Sequence, residues 1–182
     1  MLESNLALNE KLNLIKPCLP EEENKLSPEI CMKMLTVLNV PENIIRHVRA
    51  VRDKALEIAE KLNLKGLKLD LKLIENSALL HDICRTEKHH AAAGAELVKA
   101  LGFKEEADII RQHHDLESSD IDEAAVVYLA DKLIKEDRPV SLDERFMLSA
   151  DKCKSPEAMA THDRRLSQAK KVFQKVQNIL NK

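Results

Sequence analysis

Along this chain the apolar positions recur at intervals of three and four, separated by polar runs, from one end to the other. That is the interval at which an α-helix returns to the same face. The clearest stripe is Ile44, Val48, Val51, Ala55, Ile58, Ala59 and Leu62. Start signals agree with it. Ser27-Pro28-Glu29, Val40-Pro41-Glu42 and Ser155-Pro156-Glu157 each set a proline ahead of an acid where a helix would begin. Ser141-Leu142-Asp143-Glu144 has the form of a capping box, and Asp70 can cap the helix that follows it. Gly66 and Gly102 fit C-terminal stops. The pattern predicts helices near residues 5–15, 28–39, 42–63, 71–84, 88–101, 104–115, 120–136, 142–152 and 156–181, with no alternating strand and no internal repeat. The expected fold class is all-α.

Polar residues interrupt these apolar faces in a consistent way. His47 lies three residues after Ile44 and four before Val51. His81 follows Ile74 and Ala78 on one face, and Asp82 follows Ala78 and Leu79 at the same spacings. Asp131 shares a face with Ala124, Val127 and Tyr128; His113 and His114 follow Ile109 and Ile110; His90 aligns with Gly94, Leu97 and Leu101. A single inward histidine is ordinarily a hydrogen-bonded core residue. Five helices that each turn an ionisable group inward are a different matter, because a buried carboxylate is costly unless paired or bound to a metal. One shared cation would offset that cost at several positions at once. Imidazole nitrogen and carboxylate oxygen suit Fe, Mn, Ni, Co or Zn.

Length and composition narrow the alternatives. The 182 residues suffice for one domain with a sizeable core, expected over 27–182, with residues 1–26 as an N-terminal appendage that ends in the charged run PEEENK. The formal net charge of −2 gives no global field toward a nucleic-acid duplex or an anionic membrane. Aromatic residues are 2% and Trp is absent, which removes the stacking platforms of single-strand binders. No apolar run approaches the roughly 20 residues of a membrane span, and the N-terminus does not have the form of a signal peptide. Cys18, Cys31, Cys84 and Cys153 make no C-x-x-C pair and are read as reduced thiols of a cytoplasmic protein. The three glycines cannot build a dinucleotide-binding or P-loop fingerprint. Glu87 and His90 form one E-x-x-H, but a di-iron four-helix bundle needs two.

The order His47, His81-Asp82, Asp131 resembles the HD-domain metal-dependent phosphohydrolase superfamily, whose signature is H…HD…D. The likeness runs over about residues 40–135, with 140–182 expected as further C-terminal helices. Its local contexts are HVRAVRDKALEIA, ALLHDICR and YLADKL. The resemblance implies a compact multi-helix bundle with a metal site between its central helices, and His47, His81, Asp82 and Asp131 as ligands. It extends to the subset with extra histidines, including the YqeK-like dinucleotide phosphohydrolases. His90 stands four before Gly94-Ala95 and His113 three after Ile110, as in that subset, which makes both second-metal candidates, with His114 an alternative or additional ligand. One or two divalent ions are thus implied, with Asp82 able to bridge them.

The same resemblance implies an enzyme that hydrolyses a small phosphorylated substrate, a nucleotide or related ester, through a metal-activated water. Asp82 orients the water and Arg85 clamps a phosphate oxygen, with a surface ion pair to Glu87 or another acid as the plainer role for Arg85. Arg111 and Lys88 are weaker phosphate candidates. Lys132 is expected to be solvated and His162 to be an ordinary surface residue. Departures from the family pattern are Ile83-Cys84-Arg85 after the HD pair, His114-Asp115-Leu116 after His113, which does not carry the dinucleotide substrate over, and the absence of G-Y-P, which argues against HD-GYP phosphodiesterases. The chain is also similar to HD domains beside molybdopterin-nucleotidyltransferase-like modules. Two other classes remain open: a non-catalytic nucleotide-binding or regulatory module, and a di-iron oxygenase. The stripe Leu166, Ala169, Val172, Phe173, Val176, Ile179, Leu180 is expected to pack on the domain's own core rather than form a dimer seam, so monomer and homodimer stay open.

Overall fold

The computed structural model describes residues 2–20 and 25–182, with side chains from Leu8 onward, so the charged run 20–25 lies largely outside the described residues. Nine α-helices are found among them: α1 (Leu2–Ile15), α2 (Pro28–Val37), α3 (Glu42–Leu64), α4 (Leu71–Leu80), α5 (His90–Ala100), α6 (Lys104–Gln112), α7 (Glu123–Lys132), α8 (Leu142–Ala150) and α9 (Pro156–Leu180). Five of the starts are capped by a side chain. Ser27 Oγ accepts from the Ile30 amide, Asp70 Oδ1 from those of Lys72 and Leu73, Asp122 from that of Ala125, Ser141 from that of Glu144 and Ser155 from that of Ala158. Gly66 and Gly102 stop their helices at φ values of 97° and 101°, where a side chain would be strained.

Two differences from the expected elements matter for function. The expected helix 120–136 ends at Lys132, and a two-residue-per-strand hairpin follows, β1 (Ile134–Lys135) against β2 (Arg138–Pro139), turned by Glu136 and Asp137. Strands this short carry no alternation for a sequence pattern to show. The expected helix 71–84 ends at Leu80, and residues 81–86 form successive turns.

The stripe on α3 is buried from Val48 to Leu62 as its period requires, with Ile44 half-buried. The α7 helix differs: every residue from Ala124 to Lys132 is buried, so it runs through the interior. One apolar core gathers α3 (Val51, Ala55, Ile58), α7 and the Ala169, Val172 and Val176 face of α9. A second gathers Ile15, Leu26, the buried face of α2, and α5 with α6. The α9 stripe thus packs on the domain itself, leaving Phe173 partly exposed. Helices α3 and α4 contribute to both cores, through Val51 and Val48 and through Ala78 and Leu80, and their polar residues stand at that boundary. No helix is long and apolar enough to cross a membrane among the described residues. All four cysteines are free.

Candidate metal centre

The site is assembled from the ends of helices. His47 enters from the second turn of α3, His81 and Asp82 from the turn after α4, His90 from the first residue of α5, His113 and His114 from the end of α6, and Asp131 from the last turn of α7. A helix end exposes backbone carbonyls with no intrahelical partner; two of the histidines use such a local carbonyl, and a third uses a distant one. Nδ1 of His81 lies 2.7 Å from the carbonyl oxygen of Ala78, and Nδ1 of His113 lies 2.7 Å from that of Ile110. Nδ1 of His47 lies 2.6 Å from the carbonyl oxygen of Glu136, in the unanticipated hairpin. A carbonyl only accepts, so Nδ1 carries the proton in each ring and Nε2 is turned inward. Glu136 has φ 57°, a left-handed conformation unusual outside glycine; the hairpin keeps its carbonyl on His47.

The inward atoms converge. Nε2 of His47 is 3.2 Å from Asp131 Oδ1 and 3.8 Å from Asp82 Oδ2; Nε2 of His81 is 3.7 Å from Asp82 Oδ2 and 3.8 Å from Asp131 Oδ1. On the other side of Asp82, Oδ1 is 3.2 Å from His90 Nε2 and 3.7 Å from His113 Nε2. Nε2 of His114 lies 2.9 Å from Nε2 of His90. Two three-residue groups therefore face one another, His47/His81/Asp131 and His90/His113/His114, each with ligand atoms within 4.8 Å, and the Asp82 carboxylate lies between them. All seven ligand candidates named from the sequence come together. Of the paired histidines at 89 and 90, His89 takes φ 57° and stays exposed while His90 turns inward. Gly94 lets α5 approach: a Cβ there would sit 3.2 Å from Ile83 Cγ2 and 3.5 Å from Ile110 Cγ2.

Electrostatics give these groups complementary states. Burial, then the neighbouring charges of His81 and Lys132, hold His113 down at about 3. Burial likewise lowers His81 and, with His113 beside it, His114. His47 goes the other way: burial opposes its charge, but the Asp131 and Asp82 carboxylates outweigh burial and raise it. Burial would raise both carboxylates, yet the surrounding cationic and imidazole groups keep Asp82 and Asp131 below the usual carboxylate range. Nε2 of His81, Nε2 of His113 and Oδ1 of Asp82 are buried with no hydrogen-bond partner. Unsatisfied buried polar atoms are costly, and neutral imidazole with ionised carboxylate is the donor set of a divalent cation. Backbone-anchored Nδ1 atoms are the usual second layer of such a centre. The residues present fit a metal.

Two expectations are corrected. Lys132 is buried, and its Nζ donates to Asp131 Oδ2 at 2.7 Å and to the His113 carbonyl at 2.8 Å. The helical spacing placed it on another face than Asp131, but α7 has no solvated face. The uninterrupted run Ala124–Ala130 was the available signal. His162 is not an ordinary surface residue: Nε2 lies 3.0 Å from the Phe146 carbonyl and 3.2 Å from Ser149 Oγ, at the wall of a cleft. No local pattern announces that contact. Arg85 does not pair with Glu87, which is taken by Lys11. Its Nη1 lies 2.9 Å from His90 Nε2 and its Nε 3.6 Å from Asp82 Oδ2, with the side chain part-exposed at the rim. Arg111 pairs with Glu117, and Lys88 is exposed.

The cleft, about 570 Å³, opens from Asp82, Asp131, His47 and His114. Residues of α8 and α9 close its other side.

A family model for the HD domain matches residues 44–135, which contain all seven of these ligand candidates. The chain belongs to the HD domain family. An uncharacterized protein of Methanocaldococcus jannaschii is 33% identical over 124 residues, 65% of this chain and 72% of that one. A tRNA (cytidine(56)-2'-O)-methyltransferase of Picrophilus torridus is 31% identical over 66% of this chain, and one of Thermoplasma volcanium 32% identical over 46%. The matched regions are only 34% and 24% of those two longer proteins. No solved structure matches the chain significantly. HD domains generally bind divalent metals and are generally hydrolase-like, and this one has the His/Asp groups for a metal.

Proposed function

We propose that this HD domain is a metal-dependent phosphohydrolase acting on a small nucleotide or related phosphate ester. The observation that carries the reading is the set of orphaned inward atoms, His81 Nε2, His113 Nε2 and Asp82 Oδ1, beside an open cleft. His47, His81, Asp82 and Asp131 would hold one ion, and His90, His113 and His114 a second with Asp82 shared. A divalent transition metal bound there (Fe, Mn, Ni, Co or Zn) supplies Lewis acidity that brings the pKa of water from about 16 toward 7 and polarises a phosphoryl oxygen.

The chain's own groups do the rest. Asp82 and Asp131, held ionised, accept hydrogen bonds from the attacking water and fix its direction. Lys132 holds Asp131 in place from behind. Arg85, at the rim with a planar fork of donors, takes oxygens of the transferred phosphoryl group. The two methyltransferase relatives bear names that refer to tRNA, so ribonucleotides and short RNA belong among the substrates tried.

Elemental analysis of the purified protein, followed by a screen of nucleotides, dinucleotides, short RNA and p-nitrophenyl phosphate with each metal, tests the proposal. The expected result is bound metal and turnover of at least one small phosphoester. Metal-loaded protein that turns over none of them overturns it. Saturable nucleotide binding without turnover would then favour the regulatory-module reading, and oxygen consumption with an iron-dependent paramagnetic signal the oxygenase reading.

A further inference from the structure

The HD match stops at residue 135, yet the cleft does not. Its far wall is made by α8, the turn after it and the first turns of α9. Arg145 and Ser149 stand one turn apart on α8, and Lys152, in the turn that follows the helix, lines the same cleft. His162 pins this wall to α9 through the Phe146 carbonyl and Ser149.

Charge singles out two of these residues. The neighbouring cations are already matched: Arg138 with Glu144, Lys170 with Asp143, and both Arg164 and Arg165 with Asp115. The acids of α8 are consumed by those pairs. Arg145 and Lys152 make no ion pair among the described residues; on their side of the cleft Glu157 of α9 is the lining acid, and the exposed Asp151 that precedes Lys152 does not line it. A chain of net charge −2 thus keeps two uncommitted cations on the wall that faces the metal centre. A cleft of about 570 Å³ also exceeds what one phosphate requires and is the size of an organic ligand's pocket.

We infer that Arg145 and Lys152 form a second anion subsite, so that the preferred ligand is an organic phosphate carrying a second phosphate group. This rests on the phosphohydrolase reading for the fate of the first phosphate, but binding alone can test it. Nucleoside bisphosphates and nucleoside polyphosphates share the required chemistry.

Adenosine 3′,5′-bisphosphate, adenosine diphosphate and adenosine 5′-monophosphate are titrated calorimetrically into the full-length protein, and their kcat/KM values are compared where turnover occurs. At least one doubly phosphorylated ligand is expected to bind about tenfold or more tightly than the monophosphate, the effect of one charge-assisted contact. The bisphosphate and the diphosphate distinguish a separated from a contiguous second group. In Arg145→Met/Lys152→Met the preference is expected to collapse, and in Arg145→Lys/Lys152→Arg to persist, which separates charge from packing. Equal binding of all three, no binding of any, or a preference that survives the double Met variant overturns the subsite. Absence of turnover of every phosphoester, with the binding preference intact, removes the hydrolase reading and leaves the subsite standing.

Discussion

The two halves of the donor cluster are held by different means. On the side of His47 and His81, both imidazoles give their Nδ1 proton to a main-chain carbonyl, and Asp131 is held by the buried Lys132. On the other side only His113 is anchored in that way. His90 and His114 lean on one another, and His90 also on Arg85, a side chain open to solvent at the rim. A ligand fixed on backbone needs little ordering to meet a cation, whereas one held by side chains must first be ordered. On the proposed function, the first half is expected to hold its ion more tightly and the second to adapt to substrate. Asp82 belongs to both and couples them.

Breaking each half separately gives the largest contrast. His81→Asn is expected to strip the metal and reduce phosphoester turnover at least about a thousandfold, since the cation contributes several kcal/mol. His114→Asn is expected to leave the tighter ion bound and to cost about ten- to a hundredfold. Elemental analysis and kcat/KM on the two folded variants check this. Equal metal contents would show that the halves are equivalent.

Lys132→Met sharpens the account of the anchored half. It leaves a buried carboxylate oxygen without its cation, which costs about 3 kcal/mol in metal-free protein. The loss should shrink when metal is loaded, because the cation then balances Asp131. Urea unfolding with and without chelator measures both values, and a loss independent of metal would place Lys132 in packing alone.

The smallest effect is in pH. His113 titrates near 6.5 in an unfolded chain and at about 3 in the folded one. Between those values the unfolded chain binds the proton and the folded one does not, so metal-free protein loses stability as pH falls through that window. At pH 5 the loss is on the order of 2 kcal/mol relative to pH 7. His47 acts in the opposite sense: its raised pKa gives a contribution that is full below its unfolded value and lost as pH rises through the folded one. Asp82 and Asp131, held low, contribute above their unfolded value and lose that contribution only as pH falls through their folded values. Urea midpoints of chelator-treated protein at pH 7 and pH 5 check the balance, and a higher midpoint at pH 5 would show that His47 outweighs the buried neutral histidines.

The sequence by itself determined the helices, because their caps, prolines and apolar period are local, and it marked seven ionisable residues that turn inward, because a polar side chain on an apolar stripe shows in the spacing. His47, His81, Asp82, His90, His113, His114 and Asp131 were legible on that ground, and the H…HD…D order gave them a family. Only the tertiary structure decided how they are held. The carbonyl that orients His47 comes from Glu136, 89 positions away in a hairpin too short to leave a pattern. The burial of Lys132 depends on what surrounds α7, and the wall of Arg145, Ser149 and Lys152 faces the cleft only because α9 folds back to hold α8 there. Local propensity acts through neighbours in the chain, while orientation, burial and the matching of charges depend on which distant segments pack together.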